Sequence, residues 1–302
     1  QIIKASLEWA DSRYTKEDSI NLEAIELIKN VIFDPLLEGK SFNSKIVEQE
    51  KNNLAAMIKS RINDKRSYAI NRCIEEMCRG ERFGLNSLGY EEDIDKVDGE
   101  KLFLHYEKIL RSSPIEIFFV GRSAELSLET LIPVNIACRN ETIVIPRETI
   151  TSGKMMKNQV VEKLPVEQGK LVLGFRSTIP YEHSLYNGLL LGNEIFGGGP
   201  NSYLFKTVRE EKSLAYYASS SLLKHKSIII TDAGIEFGNY QMTLDLMKKQ
   251  LTRIKNGDFT EEDIEIAKNS IVTSSQSIVD SNHMISEIGR ASCRERVYIS
   301  VV

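Results

Sequence analysis

The sequence predicts an α+β fold made of two consecutive domains. The chain has 302 residues, which is enough for two domains of ordinary size. From Lys170 onward the apolar pattern predicts the order β-α-β-β-α-α, which is typical of helices packed on one face of a sheet. Before this region, predicted helices lead into one short strand, and a segment of weak periodicity separates the two parts.

The first predicted domain covers residues 1–125 and is mostly helical. Apolar residues recur at helical spacing in four places, with capping residues or terminating Pro and Gly residues at their ends. The predicted helices cover residues 18–34, 43–62, 66–78 and 98–110. The segment from Ile115 to Gly121 is short, apolar and aromatic, so it predicts a buried strand onto which the helices close.

Residues 126–165 are predicted to be a linker, because periodicity fades there and Pro133, Pro146 and Gly153 interrupt it. The second predicted domain covers residues 166–287. Its predicted strands are 170–177, 214–222 and 227–235, and its predicted helices are 182–196, 202–211, 239–256 and 260–277.

Composition excludes several classes of protein. The formal net charge is −4 and no block of Lys or Arg stands out, so a nucleic-acid binder is not expected. The longest apolar runs are too short to span a membrane, so no membrane association is expected either. Four cysteines in a chain of this length do not make a disulfide scaffold. We therefore expect a soluble, globular, cytoplasmic protein.

Both ends of the chain look unusual. Gln1 lies in an apolar-patterned stretch without an initiator Met or a signal peptide, which predicts a break inside a domain. Residues 288–302 back-translate to a sequence that resembles a common sequencing adapter, so this segment is predicted to be an artefact. The expected chain is an internal fragment in which both domains are truncated.

No catalytic constellation is visible from spacing alone. None of the four histidines lies four residues from another, so the chain has no His-x-x-x-His zinc pair. Cys73 and Cys78 have neither a zinc spacing nor a bridging spacing, and buried thiols are the simpler interpretation. The glycines at 197–199 lack the Gly-Lys-Ser/Thr that a phosphate loop needs. They are either a flexible turn or a bare backbone that an extended peptide can approach.

The most specific segment runs from Phe196 to Tyr217 and carries four short motifs in order. These are Gly197-Gly198-Gly199, Ser202-Tyr203-Leu204-Phe205, Val208-Arg209-Glu210 and Leu214-Ala215-Tyr216. The segment resembles the second-domain signature of the pitrilysin/insulinase (M16) peptidases of the short, processing-peptidase-like kind. The resemblance implies two metallohydrolase-type α/β sandwich domains.

The resemblance also implies a peptide-binding site. In the family an Arg and a Tyr seven positions apart hold the substrate backbone and its oxyanion, and they correspond to Arg209 and Tyr216. Guanidinium and phenol groups are suitable donors to a peptide carbonyl. The simpler alternatives are a surface ion pair of Arg209 with Glu210 or Glu211, and a packed strand aromatic at Tyr216.

The family's zinc site is incomplete in this sequence. The resemblance extends upstream over nearly all of residues 1–287, and it aligns Glu50 with a family Glu that is followed seven positions later by a ligand Glu. Met57 stands at that ligand position, and a thioether is a poor ligand for Zn²⁺. Glu48 or Glu50 as a ligand is the alternative under a shifted alignment. The family's His-x-x-Glu-His would lie upstream of Gln1.

The resemblance leaves two principal hypotheses. The first is a non-catalytic subunit that binds peptide or unfolded polypeptide and works with a zinc-bearing M16 partner or as a homodimer. The second is an active zinc endopeptidase whose zinc motif lies upstream, and Met57 argues against it. A weaker alternative is an accessory protein associated with elongation factor P modification. Zinc is expected as a cofactor only under the second hypothesis.

Overall fold

The computed structural model describes residues 3–10, 14, 19–120, 143 and 159–277, together with the backbone of residues 297–301. Contacts divide the chain into two compact units. One unit contains Gln1–Ala56, Tyr90–Arg147 and Gln276–Val302, and the other contains Met57–Gly89 and Glu148–Ser275. The boundaries of the sequence domains stay predictions. None of the described helices is both long and apolar enough to cross a lipid bilayer.

The described elements alternate between helices and short strands. The helices are α1 (Ile20–Phe33), α2 (Ser44–Ser60), α3 (Lys65–Met77), α4 (Glu91–Ile94), α5 (Gly99–Ser112), α6 (Tyr186–Asn193), α7 (Tyr240–Lys255) and α8 (Glu261–Gln276). The strands are β1 (Lys4–Leu7), β2 (Leu37–Glu38), β3 (Ser41–Phe42), β4 (Ile115–Phe119), β5 (Gly169–Arg176), β6 (Ala215–Leu223), β7 (Ile228–Ile235) and β8 (Val297–Val301). Two π-helical turns cover Glu194–Gly198 and Phe205–Glu211. The α+β class predicted from the sequence is confirmed.

The first unit contains a parallel sheet of order β1-β8-β4. Helix α1 buries Ile28 and Ile32 against partly buried residues of β1, α5 and β4, as its apolar spacing predicts. The hydroxyl of Tyr106 donates to the carbonyl of Ile32 at 2.6 Å and joins α5 to the end of α1. Strand β8 lies in the segment predicted to be an artefact. Strand pairing uses backbone groups that every sequence carries. The pairing of β8 therefore does not test whether this segment is an artefact, and that origin stays a prediction.

The second unit is built on an antiparallel sheet of order β5-β7-β6, so β7 is central. The predicted order β-α-β-β-α-α is confirmed by β5, α6, β6, β7, α7 and α8. One face of the sheet packs against α7 and the π-helical turns around a shared apolar core. The core includes Leu171, Phe196, Leu204, Val208, Ala218, Ala233 and Met247.

Helices cover both faces of this sheet, so the prediction of helices on one face only is wrong. Helix α3 packs on the second face, where Ile228 and Ile230 contact Cys78 and the partly buried Met77. The reason is visible in β7, which is apolar on both faces over most of its length and therefore needs cover on both. Cys78 is buried as predicted, whereas Cys73 is only half-buried. Burial raises the pKa of Cys73 to about 11.

The helix predicted over residues 182–196 is shorter and less regular in the structure. Helix α6 begins at Tyr186 and ends at Asn193, and the backbone continues as the π-helical turn up to Gly198. A π-helical turn widens the helix locally and is common near functional sites. Here it brings Gly197 directly against the backbone of β6 at Ser220. Sequence periodicity does not separate such a turn from an ordinary helix end.

Candidate functional site

Arg209 lies on the surface near the end of the second π-helical turn. The centre of its guanidinium lies 4.5 Å from the centroid of the Phe205 ring, which gives the side chain a cation–π contact. No carboxylate among the described residues lies within ion-pair distance of it, including Glu210 and Glu211. The surface ion-pair alternative is therefore not what the structure shows. The guanidinium N–H donors are open to solvent.

Tyr216 lies on β6 at a β-bulge. Ala215 is paired with Ile235 and Tyr217 with Gly234, so Tyr216 has no partner residue on β7. Its side chain is 54% exposed, which rules out a ring packed inside the sheet. Bulges re-aim side chains and are common next to binding and catalytic sites. The phenol of Tyr216 is thus directed away from the core of its own sheet.

A tight turn connects the segments that carry Arg209 and Tyr216. The backbone N–H of Leu214 donates to the carbonyl of Val208 at 2.9 Å, and both side chains are buried in the core. Ser213, inside this turn, has a φ of 50°, in the left-handed region that costs a non-glycine residue free energy. Arg209 follows Val208 directly and Tyr216 follows Leu214 by two residues. The turn therefore places both side chains at one end of β6.

The glycine run, Gly197–Gly199, packs against other residues of the same chain. A Cβ on Gly197 would lie 2.7 Å from Cδ1 of Leu204 and 2.7 Å from both N and Oγ of Ser220. A Cβ on Gly198 would overlap the Glu194 carboxylate, whose Oε1 accepts a 2.7 Å hydrogen bond from the hydroxyl of Ser270. These contacts require glycine at positions 197 and 198 whether or not a ligand binds. Gly198 is exposed and Gly199 half-buried, so part of the bare backbone still faces solvent.

The glycine run and the Arg209–Tyr216 pair lie at different points along one strand. Gly197 contacts β6 at Ser220, four residues beyond Tyr216. At roughly 3.3 Å per strand residue, this separation is about 13 Å. Arg209 and Tyr216 therefore lie on either side of the turn at the start of β6, and the glycines contact this strand about four residues farther along.

Glu50 and Met57 both lie on α2 and are exposed to solvent. The Glu50 carboxylate accepts a 3.2 Å hydrogen bond from Nδ2 of Asn53, and the Met57 side chain is 52% exposed. Within the described ranges, no three His, Cys, Asp or Glu side chains come close enough to hold a metal ion. The donor set at the expected position, one carboxylate and one thioether, does not fit zinc.

Three of the four histidines lie on the surface of the structure. His105, His183 and His225 are exposed, and His283 lies outside the described residues. None of the three belongs to a metal-binding group among the residues that the structure describes.

A polar cluster on the second face of the sheet was not predicted. Arg66 of α3 donates from Nε to Oδ2 of Asp232 at 2.5 Å and from Nη2 to Oδ1 at 3.1 Å. The hydroxyl of Ser219 bridges the pair, since it donates to Asp232 at 2.8 Å and accepts from Arg66 at 2.8 Å. The Asp232 hydrogen bond, reinforced by its charge, raises the pKa of Arg66 above its ordinary value. The guanidinium also lies 4.4 Å from the centroid of the Tyr217 ring.

Tyr217 is the residue after the bulge, and both the pKa and the hydrogen bonding of its phenol are unusual. Burial, helped by the nearby charge of Asp232, raises its pKa to about 12. Its buried hydroxyl has no hydrogen-bond partner among the described residues. The one sequence signal for this cluster is Asp232, a carboxylate in the middle of an apolar strand, which requires a charged or polar partner.

Comparison with known proteins identifies the family. Residues 96–271 match the family described as Peptidase M16 inactive domain. The chain is similar to the protein described as "Probable inactive metalloprotease YmfF" of Bacillus subtilis (strain 168). The two are 31% identical over 287 residues, which cover 95% of this chain and 67% of that protein.

Solved structures agree on the fold. The chain superposes with a TM-score of 0.75 on a conserved protein from Enterococcus faecalis V583, at 24% identity over 93% of this chain and 67% of that one. It superposes with a TM-score of 0.62 on a chain of Complex III2 from Candida albicans with Inz-5 bound, at 14% identity over 88% of this chain and 65% of that one. Taken with the family match over residues 96–271 and the similarity to YmfF, this common architecture shows that the chain belongs to the peptidase M16 family and carries its inactive domain.

Proposed function

We propose that this M16 chain is a non-catalytic subunit that binds extended peptide at the Arg209–Tyr216 end of β6. The observation that carries the proposal is that both side chains are exposed beside one turn, with Arg209 free of any carboxylate among the described residues. A charged donor left open at the surface is available for a ligand. The proposed ligand is the backbone of an unfolded polypeptide.

The chemistry of the two side chains suits this ligand. A guanidinium and a phenol both donate hydrogen bonds, and peptide carbonyls are acceptors. β6 is an edge strand of its sheet, and an exposed sheet edge can pair with an added strand. An extended peptide of about four residues covers the 13 Å or so between Tyr216 and the glycine run. Gly198 and Gly199 then offer a backbone that the peptide can approach closely.

Two observations support a role without catalysis. The residue at the expected ligand position is the exposed thioether of Met57, which does not fit zinc. The relative YmfF, which matches over 95% of this chain, is described as a probable inactive metalloprotease. We therefore assign no step of peptide hydrolysis to these residues.

The proposal includes a partner. A subunit that binds peptide but lacks a zinc site can contribute to proteolysis only beside a subunit that has one, and a zinc-bearing M16 chain is the proposed partner. One structure of the same fold is a chain of a larger assembly, Complex III2. We place the complex in the cytoplasm because Cys73 and Cys78 are free thiols.

The test is equilibrium binding of a fluorescein-labelled β-casein peptide, measured by fluorescence anisotropy with EDTA present. Arg209→Ala should weaken binding about tenfold or more, because a charge-assisted hydrogen bond contributes roughly 1.5–3 kcal/mol. Tyr216→Phe removes a neutral donor and should weaken it about threefold to tenfold. Arg79→Ala, in the exposed turn just after α3, should leave the affinity unchanged. Equal affinities for all four proteins would refute the proposed site.

A further inference from the structure

We infer that Gly234 and Arg66 are positioning residues that fix the direction of Tyr216 by clamping the ring of Tyr217. This inference rests on the proposed function, since it assigns a role to residues that would not touch the peptide. Tyr216 is 54% exposed and lies on a bulge, where it has no partner residue on β7. Its direction must therefore be set by its two neighbours in the strand.

The residue before the bulge is fixed by the core. Ala215 is buried, pairs with Ile235 on β7 and belongs to the apolar cluster under α7. The residue after the bulge, Tyr217, lies on the opposite face of the sheet. Because its hydroxyl has no partner among the described residues, hydrogen bonding does not hold it there. Contacts of the ring itself must do so.

One side of the Tyr217 ring lies on Gly234. A Cβ added at Gly234 would be 2.5 Å from Cε1, 3.0 Å from Cδ1 and 3.2 Å from Cζ of Tyr217. Real Cβ atoms do not approach ring carbons at the shortest of these distances. Any residue other than glycine at this position of the central strand must push the ring away. Gly234 therefore packs directly against the ring of Tyr217.

The ring of Tyr217 also contacts two cations. The guanidinium carbon of Arg66 is 4.4 Å from the ring centroid, and Nζ of Lys170 is 5.4 Å from it. Arg66 cannot swing away without losing both hydrogen bonds to the Asp232 carboxylate. The Tyr217 ring is therefore held by its contacts with Gly234 and Arg66. Ala215, the residue before the bulge, is fixed as well. The side chain of Tyr216 can therefore project in only one direction.

A double-mutant cycle tests the inference with the labelled β-casein peptide. Gly234→Ala should weaken binding about tenfold in the unaltered protein, because it displaces Tyr216. It should have no further effect in a Tyr216→Ala background, where there is no ring left to position. Tyr217→Phe should bind peptide as the unaltered protein does, because the clamp needs the ring and not the hydroxyl. Arg66→Lys keeps the charge but loses the bidentate bond, and it serves as the second variant if Gly234→Ala folds poorly.

A second readout separates this inference from the proposed function. With 3-fluorotyrosine incorporated, the ¹⁹F resonance of Tyr216 should shift in Gly234→Ala and in Arg66→Lys but not in Arg79→Ala. Additive effects on affinity, or an unmoved Tyr216 resonance, would overturn the positioning role. If Tyr216→Ala binds peptide normally, the proposed function fails. In that case a shifted resonance would still show that the clamp orients Tyr216, while an unmoved one would remove both.

Discussion

Arg66 of α3 and Asp232 of β7 are 166 residues apart in the sequence and are joined by two hydrogen bonds of 2.5 and 3.1 Å. The Asp232 side chain is only 6% exposed, whereas that of Arg66 is 48% exposed. The guanidinium thus covers a carboxylate that would otherwise be buried without a counter-charge. This pair fastens the N-terminal end of α3 to the central strand of the second unit.

Arg66→Ala should lower the free energy of unfolding by about 2 kcal/mol. A buried carboxylate that loses its partner costs about 3–5 kcal/mol, and the partial exposure of Arg66 reduces this because water can replace it. Urea unfolding followed by circular dichroism measures the change. Arg79→Ala is the control, since Arg79 lies in the turn just after this helix and its side chain is 77% exposed. Its loss should cost less than about 0.5 kcal/mol. Equal losses of unfolding free energy for the two variants would show that the Arg66–Asp232 pair contributes no more to stability than an exposed ion pair.

Stability should fall between pH 10 and pH 12, and Tyr217 should carry part of that loss. Burial raises the Tyr217 pKa from 10.0 to about 12, so the unfolded chain releases this proton at lower pH than the folded one. The contribution of Tyr217 is therefore fully present below pH 10 and is lost as pH rises through about 12. Tyr217→Phe should show a shallower decline in urea unfolding across this window. A Tyr217→Phe slope identical to that of the unaltered protein would contradict the assignment.

Gly197→Ala should destabilise the second unit by about 1–3 kcal/mol, because overpacking forces neighbouring atoms apart. One of the atoms 2.7 Å from the new Cβ is the backbone nitrogen of Ser220, which cannot move without disturbing β6. Gly188→Ala is the control, since it lies in α6 and no atom comes within 4 Å of its added Cβ. That variant should gain about 0.5 kcal/mol from helix propensity. Thermal unfolding compares the two, and a neutral Gly197→Ala would mean that the glycine serves only a ligand.

Met57→Glu should not create a protease. The substitution restores one carboxylate on the exposed side of α2, but the described residues supply no further group of ligands around it. Hydrolysis of β-casein in the presence of zinc should stay at the background of a buffer blank. Metal analysis after dialysis should show the same zinc content in the variant and the unaltered protein. Proteolysis by the variant that a chelator abolishes would contradict the non-catalytic assignment.

Local pattern was sufficient for most elements and for the exposed pair. The apolar run from Ile228 to Ile235 predicts a strand, and the spacing of Ile25, Ile28 and Ile32 predicts the buried face of α1, because both depend on neighbouring residues alone. The motif from Phe196 to Tyr217 singled out Arg209 and Tyr216, which the structure leaves exposed. Their role in binding stays a proposal.

What the sequence did not reveal depends on long-range packing. The apolar face of α3 is visible in the sequence, but its partner lies more than a hundred residues away on the sheet. The clamp around Tyr217 joins residues from α3, β5, β6 and β7, and no short motif contains more than two of them. Asp232 inside an apolar strand signals that a partner exists without saying which one. The π-helical turns were missed because they share the periodicity of ordinary helix ends.

The most direct test of the non-catalytic peptide-binding role is one sample in which binding and cleavage are measured together. The unaltered protein is incubated with the labelled β-casein peptide, with EDTA in one half and zinc in the other. Anisotropy reports binding and mass spectrometry reports the integrity of the peptide. We predict equal binding in both halves and an intact peptide in both. Zinc-dependent cleavage, or no binding in either half, would contradict it.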